Sequence, residues 1–226
     1  FTIVDPKKAI ETHIRDVGFE VAPRDLTRLN KKLGILSGPE VIVILTGSLP
    51  PGMTGDEFQI LVRKCQEKGS LVIVDSSGEG LQAVSQLDHL FLIKPNCEEL
   101  AQITGQNVEN EDEILRVARS LLPQVQLVAV TAGARGAHLV SSAGVWRIVP
   151  PDVQQRVINT VGCGDALLAG FVHRYAAGAA PEEAMRYGVA TGTASSFQVR
   201  SGEVELDDVT TCYEHVALEK IDQNPG

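Results

Sequence analysis

Long apolar runs, paired cysteines, aromatic rings and clustered basic charge are all scarce in this chain, and each shortage excludes a class of function. The longest apolar stretches, such as residues 41–45 and 71–74, fall far short of the ~20 residues that a membrane-spanning helix needs. No membrane role is expected. The opening Phe1-Thr2-Ile3-Val4-Asp5 lacks the basic end and apolar block of a secretory signal. It also lacks an initiator methionine, so the expectation is a chain that begins inside a larger domain. Cys65, Cys97, Cys163 and Cys212 lie far apart with no C-x-x-C pair, which argues against a disulfide framework or a zinc site and for reduced thiols in a cytoplasmic protein. Aromatic residues make up 4% of the chain, and 20 Lys and Arg stand against 29 Asp and Glu for a net charge of −9. With no basic stripe, a nucleic-acid surface is not expected. An acidic protein still binds phosphates where backbone N–H groups and one or two cations do the local work.

What the chain does contain is enough apolar residue, 43% of 226, for one domain with a sizeable core. Short β-branched runs alternate with amphipathic helical patterns. Pro23 suits a first helical turn, and Leu26, Leu29, Leu33 and Leu36 follow at helical spacing. Residues 41–46 predict a strand buried on both faces. Thr54 and Glu57 form a capping box for a helix that stops at Gly69. Strands follow at 71–75, 90–94 and 127–131, with helices near 79–86, before Thr104-Gly105, and at 110–122. Residues 137–140 and 145–149, separated by Ser-Ser-Ala-Gly, predict an antiparallel hairpin. Helices at 164–177, 181–199 and 206–218 then lead into a polar tail. The fold class is α/β, a mostly parallel sheet covered on both sides, with residues 1–21 as a separate extended element in which Thr12, Ile14 and Phe19 stand out.

In open parallel sheets, ligands collect beyond the carboxyl ends of the strands. Four loops lie there: Gly47-Ser48-Leu49-Pro50-Pro51-Gly52, Asp75-Ser76-Ser77-Gly78, Lys94-Pro95-Asn96-Cys97-Glu98-Glu99 and Thr131-Ala132-Gly133-Ala134-Arg135-Gly136. Each also has a purely structural reading. The first is a rigid turn, Asp75 a helix cap, Lys94 a solvated strand-end lysine, and the last a plain turn whose glycines allow close backbone approach. Asn96 with Glu99 reads as a capping box. Asn110 with Glu113 repeats that N-x-x-E spacing where nothing suggests chemistry, so spacing alone decides little.

The densest signal is Asn159-Thr160-Val161-Gly162-Cys163-Gly164-Asp165, followed by Ala166-Leu167-Leu168-Ala169-Gly170-Phe171. Glycines at a helix start leave N–H groups unobstructed, and the helix dipole adds partial positive charge. A transferring phosphoryl group needs such support. Asp165 either complements the dipole or accepts a proton from an attacking sugar hydroxyl. The apolar run behind it predicts a buried helix.

Taken together and in order, Thr46-Gly47-Ser48-Leu49-Pro50-Pro51-Gly52, Lys94-Pro95-Asn96-x-x-Glu99, Thr131-x-Gly133-x-x-Gly136 and the Asn159–Asp165 stretch resemble the ribokinase-like (PfkB) carbohydrate kinases, most of all their hexose-phosphate branch. The resemblance implies a three-layer α/β/α fold with a C-terminal antiparallel hairpin, a small β lid over 1–21, and an α/β core over 22–226. Together these form a single domain, 1–226, that lacks an N-terminal segment. It implies ATP and Mg²⁺ as cofactors, with a sugar phosphate as acceptor: fructose 1-phosphate first, tagatose 6-phosphate or fructose 6-phosphate as alternatives. A non-catalytic nucleotide- or sugar-phosphate-binding fragment is a further alternative, and a homodimer is expected of the full-length protein. By resemblance Asp165 is the catalytic base, and Gly162, Cys163 and Gly164 form the anion hole. Lys94, Asn96, Thr131, Gly133, Gly136 and Gly164 meet ATP. Asn96 and Glu99 organise metal and phosphate, with Asp75 an acid near the metal. Ser48 faces the sugar phosphate, and residues 188–199 lie beside the adenine. Cys163 departs from the Ala or Ser usual at its position, and its oxidation would add bulk at the phosphate site.

Overall fold

The structure, a computed structural model, describes residues 2–5, 10–13 and 18–221. Its strands are β1 (Thr2–Asp5), β2 (Ile10–His13), β3 (Ile42–Thr46), β4 (Leu71–Asp75), β5 (Leu90–Ile93), β6 (Val125–Thr131), β7 (Ala137–Ser141), β8 (Gly144–Val149) and β9 (Ala217–Lys220). Its helices are α1 (Pro23–Leu36), α2 (Gly55–Glu67), α3 (Gly78–Val84), α4 (Cys97–Thr104), α5 (Glu111–Ser120), α6 (Cys163–Ala176), α7 (Pro181–Ser195) and α8 (Leu206–His215). Strands β3 to β9 form one mixed sheet in sequence order, and β1 pairs with β2 alone. Two compact units divide the chain. One takes α1 through Thr131 with Val140–Gly144; the other takes the β1–β2 pair, Ala132–Leu139 and the chain from Val145.

The first unit is the parallel part. Strand β3 pairs with β4 over Ile42↔Leu71 to Thr46↔Asp75. Strand β4 pairs with β5 at Ile73↔Leu92 and Val74↔Ile93, and β5 with β6 at Leu92↔Leu127 and Ile93↔Val128. Val72, Ile73, Val74 and all of β5 are buried. Each such side chain contributes about 1.5–3 kcal/mol relative to exposure, so the strand ends are rigid platforms for the loops that leave them. Helices α2, α4 and α5 each begin with a complete capping box, on Thr54/Glu57, Asn96/Glu99 and Asn110/Glu113. Gly105 closes α4 in the left-handed region at φ 63°. Pro23 opens α1 as its sequence predicts, in place of a capping side chain.

The second unit is built on α6 and α7. The Gly188 and Gly192 positions let the two helices approach backbone to backbone. A Cβ at Gly188 would meet the Leu167 carbonyl oxygen at 2.6 Å, and one at Gly192 the Cys163 carbonyl oxygen at 2.8 Å. Strand β9 pairs antiparallel with β8 from Trp146↔Lys220 to Val149↔Ala217.

Several expectations need correction. Strand β3 is not buried on both faces: it stands first in the strand order, with β4 as its neighbour, and Ile44 is 39% exposed. Helix α6 buries only part of its surface, leaving Asp165 and Ala169 outward. The seventh helix ends at Ser195 rather than 199, and Val199 is exposed. The last helix stops at His215, where the chain turns into β9. Ile14 and the predicted tail at 222–226 lie outside the described residues, as do 1, 6–9 and 15–17. Among the described residues no helix is long and apolar enough to cross a membrane.

Candidate functional site

Of the predicted site residues, Ser48, Asp75, Lys94, Asn96, Glu99 and Thr131 belong to the first unit, and Gly133, Gly136, Gly162, Cys163, Gly164 and Asp165 to the second. In the first unit, the end of β4 is a junction. The register that pairs Val74 with Ile93 brings the next residues, Asp75 and Lys94, alongside each other. Lys94 Nζ lies 3.1 Å from Asp75 Oδ1, with the two side chains 8% and 16% exposed. Lys94 is therefore not a solvated strand-end lysine. Its charge is held in a largely buried pair, the kind of contact whose loss costs far more than that of a surface ion pair.

The Asp75 backbone reaches the neighbouring loop. Its carbonyl accepts from Gly47 N–H at 2.9 Å, and Ser76 Oγ donates to the Gly47 carbonyl at 2.8 Å. Gly47 sits at φ 92°, a conformation that L side chains rarely adopt. Ser48 follows, exposed.

Beyond β5, the Asn96 side chain accepts from Glu99 N–H at 2.8 Å, while Glu99 Oε2 accepts from Asn96 N–H at 2.9 Å. Asn96 also bridges to Thr131 in the parallel sense. Thr131 N–H donates to Pro95 O at 3.0 Å, and Cys97 Sγ approaches Thr131 O at 3.7 Å. Lys94, Asn96, Glu99 and Thr131 thus come together at the carboxyl ends of β5 and β6.

In the second unit, residues Gly133–Arg135 make one turn of 3-10 helix. Gly136 closes it at φ 90°, accepting from Ala132 N–H at 2.8 Å. A Cβ at Gly136 would collide with the Ile148 carbonyl and Pro150, and Gly133 sits in the left-handed region at φ 59°, so both glycines serve the local backbone.

Gly162 caps α6 at φ 81°, and a Cβ there would meet Gly202 N at 2.8 Å. Asn159, 4% exposed, fixes the approach: its amide donates to Val199 O and its Oδ1 accepts from Val161 N–H, each at 3.0 Å. Asn159 stands in the expected phosphate-binding stretch, but its role in closing the loop is not evident from the sequence. The available signal was an Asn two residues before a turn, whose side chain commonly closes such a loop. Of the predicted anion-hole residues Gly162, Cys163 and Gly164, Cys163 N–H donates to Thr160 O at 3.3 Å, while Gly164 N–H, with that of Asp165, lies on the first turn of α6. These first-turn groups have no intrahelical acceptor. Cys163 Sγ points to Asn159 O at 3.7 Å and is half-buried. Asp165 is exposed on the first turn.

Among the described residues no cluster of three or more His, Cys, Asp or Glu side chains could hold a metal alone. Asp75, Glu99 and Asn96 offer hard oxygen donors, which suit a cation that keeps most of its coordination for phosphates and water.

Against known proteins, the pattern of the pfkB family of carbohydrate kinases matches residues 7–205. The ATP-dependent 6-phosphofructokinase isozyme 2 of Escherichia coli (strain K12) is 32% identical over 178 residues, which make up 78% of this chain and 57% of that protein. The 1-phosphofructokinase of Bacillus subtilis (strain 168) is 29% identical over 201 residues, 88% of this chain and 65% of that one. The chain therefore spans less than two thirds of the length of these relatives. The solved structure of Escherichia coli phosphofructokinase-2 in complex with potassium superposes at TM-score 0.88 with 27% identity, covering 95% of this chain and 69% of the other. That likeness bears out the expected ribokinase-like fold.

Proposed function

The chain belongs to the pfkB family of carbohydrate kinases, and on that premise we propose that it carries the phosphoryl-transfer machinery of an ATP-dependent hexose-phosphate kinase. The acceptor we favour is fructose 1-phosphate, giving ADP and fructose 1,6-bisphosphate; tagatose 6-phosphate and fructose 6-phosphate are the alternatives. The observation that carries the reading is the start of α6, where an exposed carboxylate, Asp165, shares the first turn with N–H groups that lack intrahelical acceptors.

In this reading Asp165 takes the proton of the acceptor hydroxyl as its oxygen attacks the γ-phosphorus. The bond from that phosphorus to the ADP oxygen breaks, and the charge gathering on the phosphoryl oxygens is met by the Gly164 and Asp165 N–H groups and the dipole of α6. Lys94, held by Asp75, and the turn from Thr131 to Gly136 support the nucleotide phosphates. Asn96, Glu99 and Asp75 are the residues that would meet Mg²⁺. When bound, the cation neutralises charge on the nucleotide phosphates. Ser48 faces the sugar phosphate.

Replacing Asp165 with Asn in the full-length protein should lower turnover roughly 10²–10⁴-fold, the usual worth of a general base, while ATP affinity stays within a few-fold. An ADP-release assay across the three sugar phosphates measures this and ranks the acceptors. Undiminished turnover would remove Asp165 from the role. Ligand-dependent thermal stabilisation with no ADP from the wild type would favour a binding module without catalysis.

A further inference from the structure

The loop that carries Ser48 is held at both ends, and the two anchors differ in kind. At its far end Val21 N–H donates to Pro51 O at 2.8 Å, an ordinary backbone contact. At its near end Gly47 is gripped on both of its polar groups by consecutive residues of the next strand end. Its N–H donates to Asp75 O at 2.9 Å, and its carbonyl accepts from Ser76 Oγ at 2.8 Å. The Ser76 hydroxyl supplies the side-chain part of this grip, and the residue is 3% exposed. Beneath it, Gly80 leaves room for both partners of the arrangement. A Cβ on Gly80 would stand 2.6 Å from Ser76 Oγ and 3.1 Å from Leu49 Cγ and Cδ2, and Leu49 is the residue after Ser48.

From this geometry we propose that Ser76, seated over Gly80, is a positioning residue that fixes the Gly47–Gly52 loop in its acceptor-receiving shape. It sets affinity for the sugar phosphate rather than the rate of phosphoryl transfer. The inference rests on the reading above in which Ser48 meets the acceptor. Gly47 at φ 92° has wide backbone freedom. Without the Ser76 hydrogen bond, Ser48 and Leu49 sample other positions, and the acceptor must order the loop as it binds. Neither Ser76 nor Gly80 is among the residues assigned to the nucleotide or to the proton transfer, so the expected effect is confined to one substrate.

The test is steady-state kinetics on the full-length protein, varying ATP and sugar phosphate separately. Ser76→Ala and Gly80→Ala should each raise the acceptor KM about tenfold, the scale of one ordinary lost hydrogen bond. The ATP KM and kcat should stay within about twofold. Ser85→Ala is the control, because Ser85 is also buried and its hydroxyl also donates to a backbone carbonyl, Gln82 O at 2.8 Å, away from the loop. It should move neither KM. An unchanged acceptor KM in Ser76→Ala against an active wild type overturns the inference and leaves the proposed function standing. A matching rise in both KM values, with a fall in Tm, overturns it as well, because a general loss of structure then explains the effect. A wild-type protein that phosphorylates no sugar phosphate overturns both.

Discussion

Helices α4 and α5 begin with the same device and differ in what stands behind it. Asn96 and Glu99 exchange side-chain and backbone hydrogen bonds at 2.8 and 2.9 Å; Asn110 and Glu113 do the same at 3.0 and 3.4 Å. The second box is shared, since Glu113 Oε2 also accepts from Glu109 N–H at 2.8 Å. Asn96 sits three residues beyond the end of a fully buried strand, bridged to Thr131 and next in line to the Lys94–Asp75 pair. Asn110 follows a surface loop in an exposed acidic stretch. A capping box is a backbone solution that any helix can use. In the proposed function, what gives one copy a chemical role is the strand end that presents it.

The largest contrast should appear when the ground behind α4 is disturbed. Lys94→Met breaks the largely buried Lys94–Asp75 ion pair, and the expected loss is about 3–5 kcal/mol in urea unfolding. Glu113→Gln at the other box should cost no more than about 0.5–1 kcal/mol. Similar costs for the two would break the comparison. A smaller effect separates stability from function. Asn96→Ala and Asn110→Ala each remove one cap and should each cost about 1 kcal/mol, so their unfolding midpoints should fall together.

The smallest effect is a matter of thiol chemistry. Cys97 is the first residue of α4 and half-buried, whereas Cys212 lies in the core of the other unit. Burial, reinforced by the nearby Asp208 charge and partly offset by Arg156, pushes the Cys212 thiol up. At a given pH Cys212 therefore has less thiolate than an ordinary cysteine, and its alkylation should stay slow until the pH passes well above the usual thiol range. ATP should slow alkylation of Cys97 severalfold and leave Cys212 unaffected, read by mass spectrometry. Equal protection of both would remove the nucleotide from the α4 end.

Much of this arrangement is legible in the sequence because it is local. The capping boxes, Pro23, Gly105 and the alternation of β-branched runs with amphipathic helices all lie within a few residues of the structure they specify. The misses are matters of register and neighbours. Strand β3 reads as buried because its residues are β-branched, yet burial depends on which strands flank it. Strand β9, Ala-Leu-Glu-Lys, carries no strand-like composition and forms because β8 offers an edge. Asp75 and Lys94, nineteen positions apart, were each legible as a candidate, but their pairing needed the β4–β5 register. Ser76 lay in one of the four strand-end loops, but its role was not legible, since its partner is a backbone carbonyl in a loop 29 positions away. At α6 the glycines point to open N–H groups, while the turn that engages Cys163 N–H with Thr160 O depends on backbone geometry that the residue types do not dictate.

The central claim is that placement at the strand end, rather than the N-x-x-E motif, makes a capping box part of the site. Asn96→Ala and Asn110→Ala, made side by side in the full-length protein, test it through kcat/KM for ATP. The account predicts a loss of about 10–100-fold for Asn96→Ala, the scale of a lost hydrogen bond to a charged group. For Asn110→Ala it predicts a change within about twofold, at matched loss of stability. Equal kinetic effects in the two variants would contradict it.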